Sequence, residues 1–377
     1  MTTISKWLLR SLLLLNIIPT CSQPKLKLDT RDEALLDSLC EVHLKESKIP
    51  GIAIGIASKG QVMYAKGFGV KNIDTKSPVT ARSVFHLASI SKTFVGTAVG
   101  QLVAAGKINL DDPVTQYLPY FKLRDPRYQD ITIRHLVTHT AGVPDVMSYG
   151  WRNPEHGDDA LENYVRTLQK KGINFTPGEK FKYSNNGFEV LGDVIAKASG
   201  MSFEAYMKTQ ILEPLGMNNS SFIKREIPDE IATSPHVRRV GIKVSKVYPY
   251  NREHAPSSTL NSNVEDMLKY ALMYLNQGTY EGKTVIDTET YELATTQHWR
   301  FNEERGVGLS WFIGPGSWRK NDGTRIQHSG QDTGYQSWLG ILPEKDWAMI
   351  VLYNGDWKIP NSSAIFDAAY EMAERYD

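Results

Sequence analysis

Ser89 and Lys92 stand three residues apart in Phe85-His86-Leu87-Ala88-Ser89-Ile90-Ser91-Lys92-Thr93-Phe94. Residues spaced i and i+3 share a helix face, so a helix opening here sets the amine beside the hydroxyl. A serine hydroxyl is a weak nucleophile at neutral pH until a base lies next to it. Lysine can be that base when desolvation or a nearby cation lowers its pKa. Phe94, Val95, Ala98, Leu102, Val103 and Ala104 continue at helical spacing and Gly106 supplies a stop. Ser89 is thereby expected at a helix N-terminus, where free N–H groups favour developing negative charge. Alone, such a pair is more often a capping serine followed by a solvated lysine. Chemistry requires partners from elsewhere in the chain.

Two other segments offer them. Phe181-Lys182-Tyr183-Ser184-Asn185-Asn186-Gly187 follows the turn signal Pro177-Gly178-Glu179 and precedes a helical run from Val190 to Ala198. Tyr183 and Asn185, two apart on a loop, can face one cavity. A phenol titrates at about pH 10, but a phenolate beside an ammonium is stabilised enough to accept a proton. An asparagine can hold a lysine through its carbonyl and a substrate amide through its NH₂. A Tyr-Asn turn without chemistry is the alternative. In Gln327-His328-Ser329-Gly330-Gln331-Asp332-Thr333-Gly334-Tyr335, glycine at a strand edge lets a ligand backbone come close. His328 can donate to a substrate carboxylate or carbonyl, or be a satisfied structural histidine. The N–H of Gln331, just past Gly330, can pair with that of Ser89 as an oxyanion hole.

Ser-Ile-Ser-Lys, Tyr-Ser-Asn and His-Ser-Gly, in that order, form a variant of the S-x-x-K, S-D-N and K-T-G set of penicillin-recognising enzymes. The chain resembles the class C β-lactamase-like serine hydrolases, which include class C β-lactamases, D,D-carboxypeptidases, D-aminopeptidases and family VIII esterases. The resemblance runs over about residues 30 to 376. It is reinforced by Ile131-Thr132-Ile133-Arg134-His135-Leu136-Val137-Thr138-His139-Thr140-Ala141-Gly142-Val143-Pro144 and by Glu213-Pro214-Leu215-Gly216-Met217. It implies Ser89 as nucleophile, Lys92 and Tyr183 sharing the general-base work, and Asn185 touching both substrate and Lys92. It implies His328, Gly330 and Gln331 on the substrate, no cofactor, and a β-lactamase/transpeptidase-like fold. His328 stands where β-lactamases usually carry lysine. Histidine is mostly neutral at pH 7, so an esterase or peptidase acting through an acyl-enzyme is expected ahead of a β-lactamase or D,D-carboxypeptidase. His139 and His86 are expected to pack rather than react.

The supporting elements are legible in outline. Thr30-Arg31-Asp32-Glu33 reads as a capping box opening a helix that carries Leu36, Leu39, Cys40 and Val42. Gly51 to Ala57 and Gln61 to Gly67 read as a hairpin about Ser58-Lys59-Gly60. A largely helical stretch follows, from about Ala81 to Gln297. Strand patterns return at Val307 to Ile313, Arg325 to His328, Gln336 to Leu342 and Trp347 to Tyr353, and Ser363 to Arg375 is amphipathic. The fold class is therefore α+β. An antiparallel sheet (about residues 29–80 and 300–377) is flanked by the N- and C-terminal helices, and a large mostly helical subdomain (about 81–299) is inserted in it. Within the 25–377 unit the site lies between the two parts, where crevices favour ligands. The Ala255 to Leu260 stretch lacks a Gly-Gly pair, and the box Ser262-x-x-Glu265 is expected to open the next helix.

Composition narrows the class. At 377 residues and 41% hydrophobic content the chain can bury a large core, and a net charge of +1 argues against nucleic acid as partner. Lys6 and Arg10 precede the apolar run Leu12 to Ile18, so residues 1–24 read as an export signal. Cys21 at its end is either a lipid-anchor site or incidental, and the expected location is periplasmic or membrane-anchored. Cys40, the other cysteine, is expected to be a small buried hydrophobe. No G-x-S-x-G elbow is present, which excludes an α/β-hydrolase. His135 and His139 lack the H-E-x-x-H arrangement of a zinc site, so no metal is expected. A non-catalytic ligand- or peptidoglycan-binding homologue is the remaining class. Trp151, Tyr248, Tyr250 and Trp299 are candidates for lining an acyl or leaving-group pocket, although aromatics more often pack in cores.

Overall fold

The computed structural model describes residues 26–316, 323–357 and 363–376. The export signal expected at residues 1–24, with Cys21, lies outside them. No helix among the described residues is long and apolar enough to cross a membrane.

Eight strands form one antiparallel sheet: β1 (Gly51–Ser58), β2 (Gln61–Gly69), β3 (Trp299–Arg300), β4 (Gly306–Val307), β5 (Phe312–Pro315), β6 (Thr324–Asp332), β7 (Tyr335–Leu342) and β8 (Trp347–Tyr353). Their spatial order is β2-β1-β8-β7-β6-β5-β4-β3. Strands from the two ends of the chain meet where Ile52, Ile54 and Ile56 of β1 face Tyr353, Val351 and Met349 of β8. β1 is buried along its whole length because both sheet faces are covered. On one face lie helices α1 (Thr30–Ser47) and, at the C-terminus, Ser363–Tyr376, packing Leu36, Cys40, Ile365 and Met372 on Ile52, Ile54 and Val351. Cys40 is fully buried there, and burial pushes its thiol up to about 12, so it packs as a hydrophobe. The other face carries the helical part, with α2 (Ser91–Ala104), α3 (Asn185–Ser199) and α4 (Val264–Leu275) in the main core.

Several local expectations change. α1 is capped one residue earlier, by Asp29, whose carboxylate accepts from Asp32 N–H at 2.8 Å. α4 is capped by Asn263, accepting from Asp266 N–H, rather than by Ser262. An asparagine is as good a cap as a serine, and Ser262 is held instead in a short strand against Phe85. The strand expected over Val307 to Ile313 is broken into β4 and β5 by Ser310, whose φ of 69° turns the chain. β6 runs on to Asp332, so His328, Gly330 and Gln331 sit inside a paired strand instead of at its end. The helical part also contains the hairpin His236–Arg239/Gly241–Val244.

Candidate active site

Ser89 lies in a 3₁₀ turn, Ala88–Ile90, immediately before α2 rather than in its first turn. The turn is clamped from three sides. The strand Phe85–His86 pairs with Asn261–Ser262. Leu87 N–H donates to the Leu260 carbonyl at 2.8 Å, and Leu260 N–H donates to Ser91 Oγ at 2.9 Å. From the sheet, Ser337 Oγ of β7 donates to the Leu87 carbonyl at 2.7 Å. Ala88 is held at φ 49°, a conformation unfavourable for a residue with a Cβ, directly before Ser89.

Lys92 is fully buried. Its ammonium nitrogen Nζ donates to Ser89 Oγ at 3.0 Å and to the Ser257 carbonyl at 2.7 Å. Nζ also stands 5.1 Å from the Tyr183 ring centre and 5.6 Å from that of Phe188. The Ser257 carbonyl belongs to a short helical turn, Ala255–Ser258, which packs on α3 at Gly192. A Cβ at Gly192 would lie 2.1 Å from Pro256 Cγ, so this close approach requires glycine. Glu189, also on α3 and fully buried, accepts from Ser257 Oγ at 2.5 Å and shares a 3.1 Å hydrogen bond with His254 Nδ1. Glu189 therefore positions the residue that positions Lys92.

Tyr183 is stacked on His139, with ring centres 4.1 Å apart. His139 is buried at φ 59°, and its Nδ1 accepts from Ser184 N–H at 3.1 Å. His139 thus packs beneath the phenol, and its left-handed backbone turns the loop there.

Asn185 does not reach Lys92 by a hydrogen bond. It opens α3, and its backbone N–H and side-chain NH₂ both donate to Asp145 Oδ1, at 2.7 and 3.0 Å. Its own carbonyl oxygen is buried without a partner and is available as an acceptor. The anchor is a carboxylate 40 residues upstream in a loop.

His328 is 2% exposed. Its Nδ1 lies 2.7 Å from the Ser329 carbonyl, which can only accept, so the proton is assigned to Nδ1. Nε2 is left as a buried acceptor without a partner. Burial, then the Lys92 charge, pushes this imidazole down to about 3, and the same two causes hold His139 well below the usual histidine range. The expectation that His328 donates to a carboxylate changes accordingly: its free nitrogen accepts, and the ring carries no charge at neutral pH.

Gly330 lies against the turn that carries Ser89. A Cβ there would fall 2.3 Å from the Leu87 carbonyl, 2.6 Å from Ser337 Oγ and 2.9 Å from Ser89 N. Its neighbour Gln331 fixes its own side chain on the Asp356 carbonyl at 2.8 Å. Asp332, at the end of β6, receives His86 Nε2 at 2.8 Å and the Ser258 hydroxyl. One carboxylate thus ties β6 to the strand before Ser89 and to the turn that holds Lys92. Ser89, Tyr183, His328, Gly330 and Gln331 open together, with Phe312, onto a cleft of about 710 Å³. Sequence reasoning did not find Ser257, Glu189, Asp145 or Asp332 as supports. Among the described residues there is no cluster of three or more His, Cys, Asp or Glu side chains suited to a metal.

The two depressed histidines make stability pH-dependent. Both stay neutral in the folded chain but take a proton in the unfolded chain below about pH 6.5. Acid therefore favours unfolding, and stability is lost as pH falls from about 6.5 toward the folded pKa. Both histidines are therefore expected to lower stability at about pH 5 relative to neutral pH. Urea midpoints at neutral pH and at pH 5 check this, and equal midpoints defeat it.

A β-lactamase family model matches residues 36–371. The chain belongs to the β-lactamase family. Over 332 residues it is 25% identical to "Protein flp" of Staphylococcus aureus (strain MRSA252), covering 87% of this chain and 64% of that protein. It is 28% identical to the "Beta-lactamase" of Escherichia coli (strain K12), covering 87% of this chain and 89% of that one. The structure of the octameric penicillin-binding protein homologue from Pyrococcus abyssi superposes with a TM-score of 0.76 at 30% identity, over 90% of this chain and 77% of that chain. The β-lactamase family is in general one of serine hydrolases, and its transpeptidase-like fold is the α+β architecture described above.

Proposed function

We propose that the chain is a serine hydrolase that cleaves an ester or amide through an acyl-enzyme on Ser89. The observation that carries this is the 3.0 Å hydrogen bond from Lys92 Nζ to Ser89 Oγ at the floor of an open cleft. A fully buried lysine is costly to keep, and a purely structural role would be met more cheaply by an apolar side chain.

In the proposed reaction the proton of Ser89 passes to the Tyr183 oxygen, which the neighbouring Lys92 ammonium keeps ready to accept it, as Oγ bonds to the substrate carbonyl carbon. The carbonyl oxygen becomes an oxyanion resting on the N–H groups of Ser89 and Gln331. The intermediate collapses, the scissile bond breaks, and Tyr183 returns the proton to the leaving alkoxide or amine. A water then adds to the acyl-enzyme, its proton following the same route, and the acid product leaves with Ser89 restored. A neutral His328 with an acceptor nitrogen offers nothing to a substrate carboxylate, which favours esters and peptides over β-lactams.

Incubation of the purified chain with a fluorophosphonate probe tests the reading. One phosphonyl adduct is expected, located by peptide mass spectrometry on Ser89. No adduct, or an adduct on another residue, overturns it.

A further inference from the structure

A second cavity, of about 1110 Å³, is larger than the cleft that holds Ser89 and is walled by Trp151, Tyr248 and Tyr250. Two side chains of its wall lead toward the active site. Trp151 is stacked on Tyr149 at 5.0 Å, and Tyr149 meets His254, the partner of Glu189, edge-on at 4.8 Å. Tyr248 meets His86 edge-on at 6.0 Å, three residues before the nucleophile.

Its charge is lopsided. Arg152, Lys224, Arg225, Lys246 and Arg252 line it, and among the described lining residues the one carboxylate is Asp229. Arg252 is spent on Glu204 at 2.7 Å and Asp158 at 2.5 Å. Among the described residues the other four form no ion pair or side-chain hydrogen bond. The nearby Glu226 is turned away onto Ser221 and Lys208. Lys224 is half-buried with its ammonium 5.2 Å from the Tyr248 ring centre, and burial lowers its pKa against the opposing pull of Asp229. The whole chain carries a net charge of only +1, so this excess is local. Cations gathered in a concave, aromatic-walled space raise the local concentration of anions and are less screened than cations on a convex surface.

We propose that this cavity binds a negatively charged end of the substrate, a carboxylate or a phosphate, while the scissile carbonyl lies at Ser89. The proposal rests on the hydrolase reading above and adds to it the substrate class: an anionic ester or amide, its charge held apart from the reacting bond. It complements His328, which offers that charge no cation beside Ser89.

The test is calorimetric titration of Ser89→Ala chain, which binds without turnover. The probes are 4-nitrophenyl monoesters of dicarboxylic acids of increasing length, the matching ω-phosphate esters, and neutral alkanoate esters of equal length. At one or more lengths an anionic ester is expected to bind about tenfold tighter than its neutral partner at low salt, with the gap closing as salt rises. Adding Lys224→Glu and Arg152→Glu is expected to erase the gap, while the charge-matched control Lys283→Glu, on a distant exposed hairpin, keeps it. Equal binding of charged and neutral esters at every length, no binding of any of them, a gap that survives the double substitution, or a gap lost equally in the control overturns the proposal. Failure of the hydrolase reading appears separately, as absent fluorophosphonate labelling of Ser89 in the unsubstituted chain.

Discussion

Ser89→Ala and Lys92→Met, made singly, each lower kcat/KM by roughly four orders of magnitude or more, and the double variant falls no further than the worse single one. The reason is geometric. Ser89 Oγ and Lys92 Nζ are joined by one hydrogen bond, so the hydroxyl without the amine is an ordinary alcohol, and the amine without the hydroxyl has nothing to activate. Groups that act as a unit do not contribute additively. Stability should change little by comparison. Lys92→Met keeps the volume of the side chain and removes a buried ammonium, leaving Ser89 Oγ, which opens on the cleft, and the buried Ser257 carbonyl without that donor, the carbonyl at about 1–3 kcal/mol. Removing a buried charge offsets much of that cost, as expected where function is held at the expense of stability. Ester hydrolysis rates and thermal melts of the three variants check both halves. A Lys92→Met chain with near-normal kcat/KM, or a double variant far below both singles, refutes the account.

Gly330→Ala is the second large effect. The added Cβ meets two backbone groups of the nucleophile turn, the Leu87 carbonyl and Ser89 N, together with Ser337 Oγ. None of these is the free end of a flexible side chain, because Ser337 Oγ is itself bonded to the Leu87 carbonyl. β6 must therefore move away from the turn, and the Gln331 N–H moves with it. A displacement of about 1 Å in a positioned group costs on the order of 100-fold in rate, and overpacking costs about 1–3 kcal/mol in stability. The expected result is a fall in kcat of about two orders of magnitude, a smaller change in KM, and a melting point lowered but still cooperative. Unchanged kcat would show that the N–H groups on the two sides of Gly330 do not act together. The serine variant at the same position carries the same Cβ and should fail in the same way.

Local pattern carried a large share of this protein. Ser89, Lys92, Tyr183, His328, Gly330 and Gln331 were recognisable because each sits in a short segment whose residue types and spacing are unusual. The structure brings all of them except the buried Lys92 onto one cleft, and Lys92 lies directly beneath, bonded to Ser89. Strand and helix periodicity likewise gave the α+β class and one antiparallel sheet built from both ends of the chain, whereas the pairing of β1 with β8 is seen only in the structure. Cap positions and strand ends were less legible. Asp29 and Asn263 compete on nearly equal terms with their serine and threonine neighbours, and tertiary contacts decide between them.

What only the tertiary structure decided is the electrical and hydrogen-bonding state of the site. The second partner of Lys92 is a backbone carbonyl 165 residues downstream, and a carbonyl leaves no mark in a sequence because every residue has one. Asn185 was expected on Lys92 and is held instead by Asp145, since a nearby carboxylate takes both of its donors. His328 read as a donor. Burial beside a lysine ammonium makes it neutral, and the Ser329 carbonyl takes its one proton, so it faces the cleft as an acceptor. Trp151, Tyr248 and Tyr250 do share a cavity, whereas Trp299 lies in β3 against Val307, at the far edge of the sheet. Residue type fixes what a group can do. Burial and the neighbours that folding brings to it fix which of those things it does.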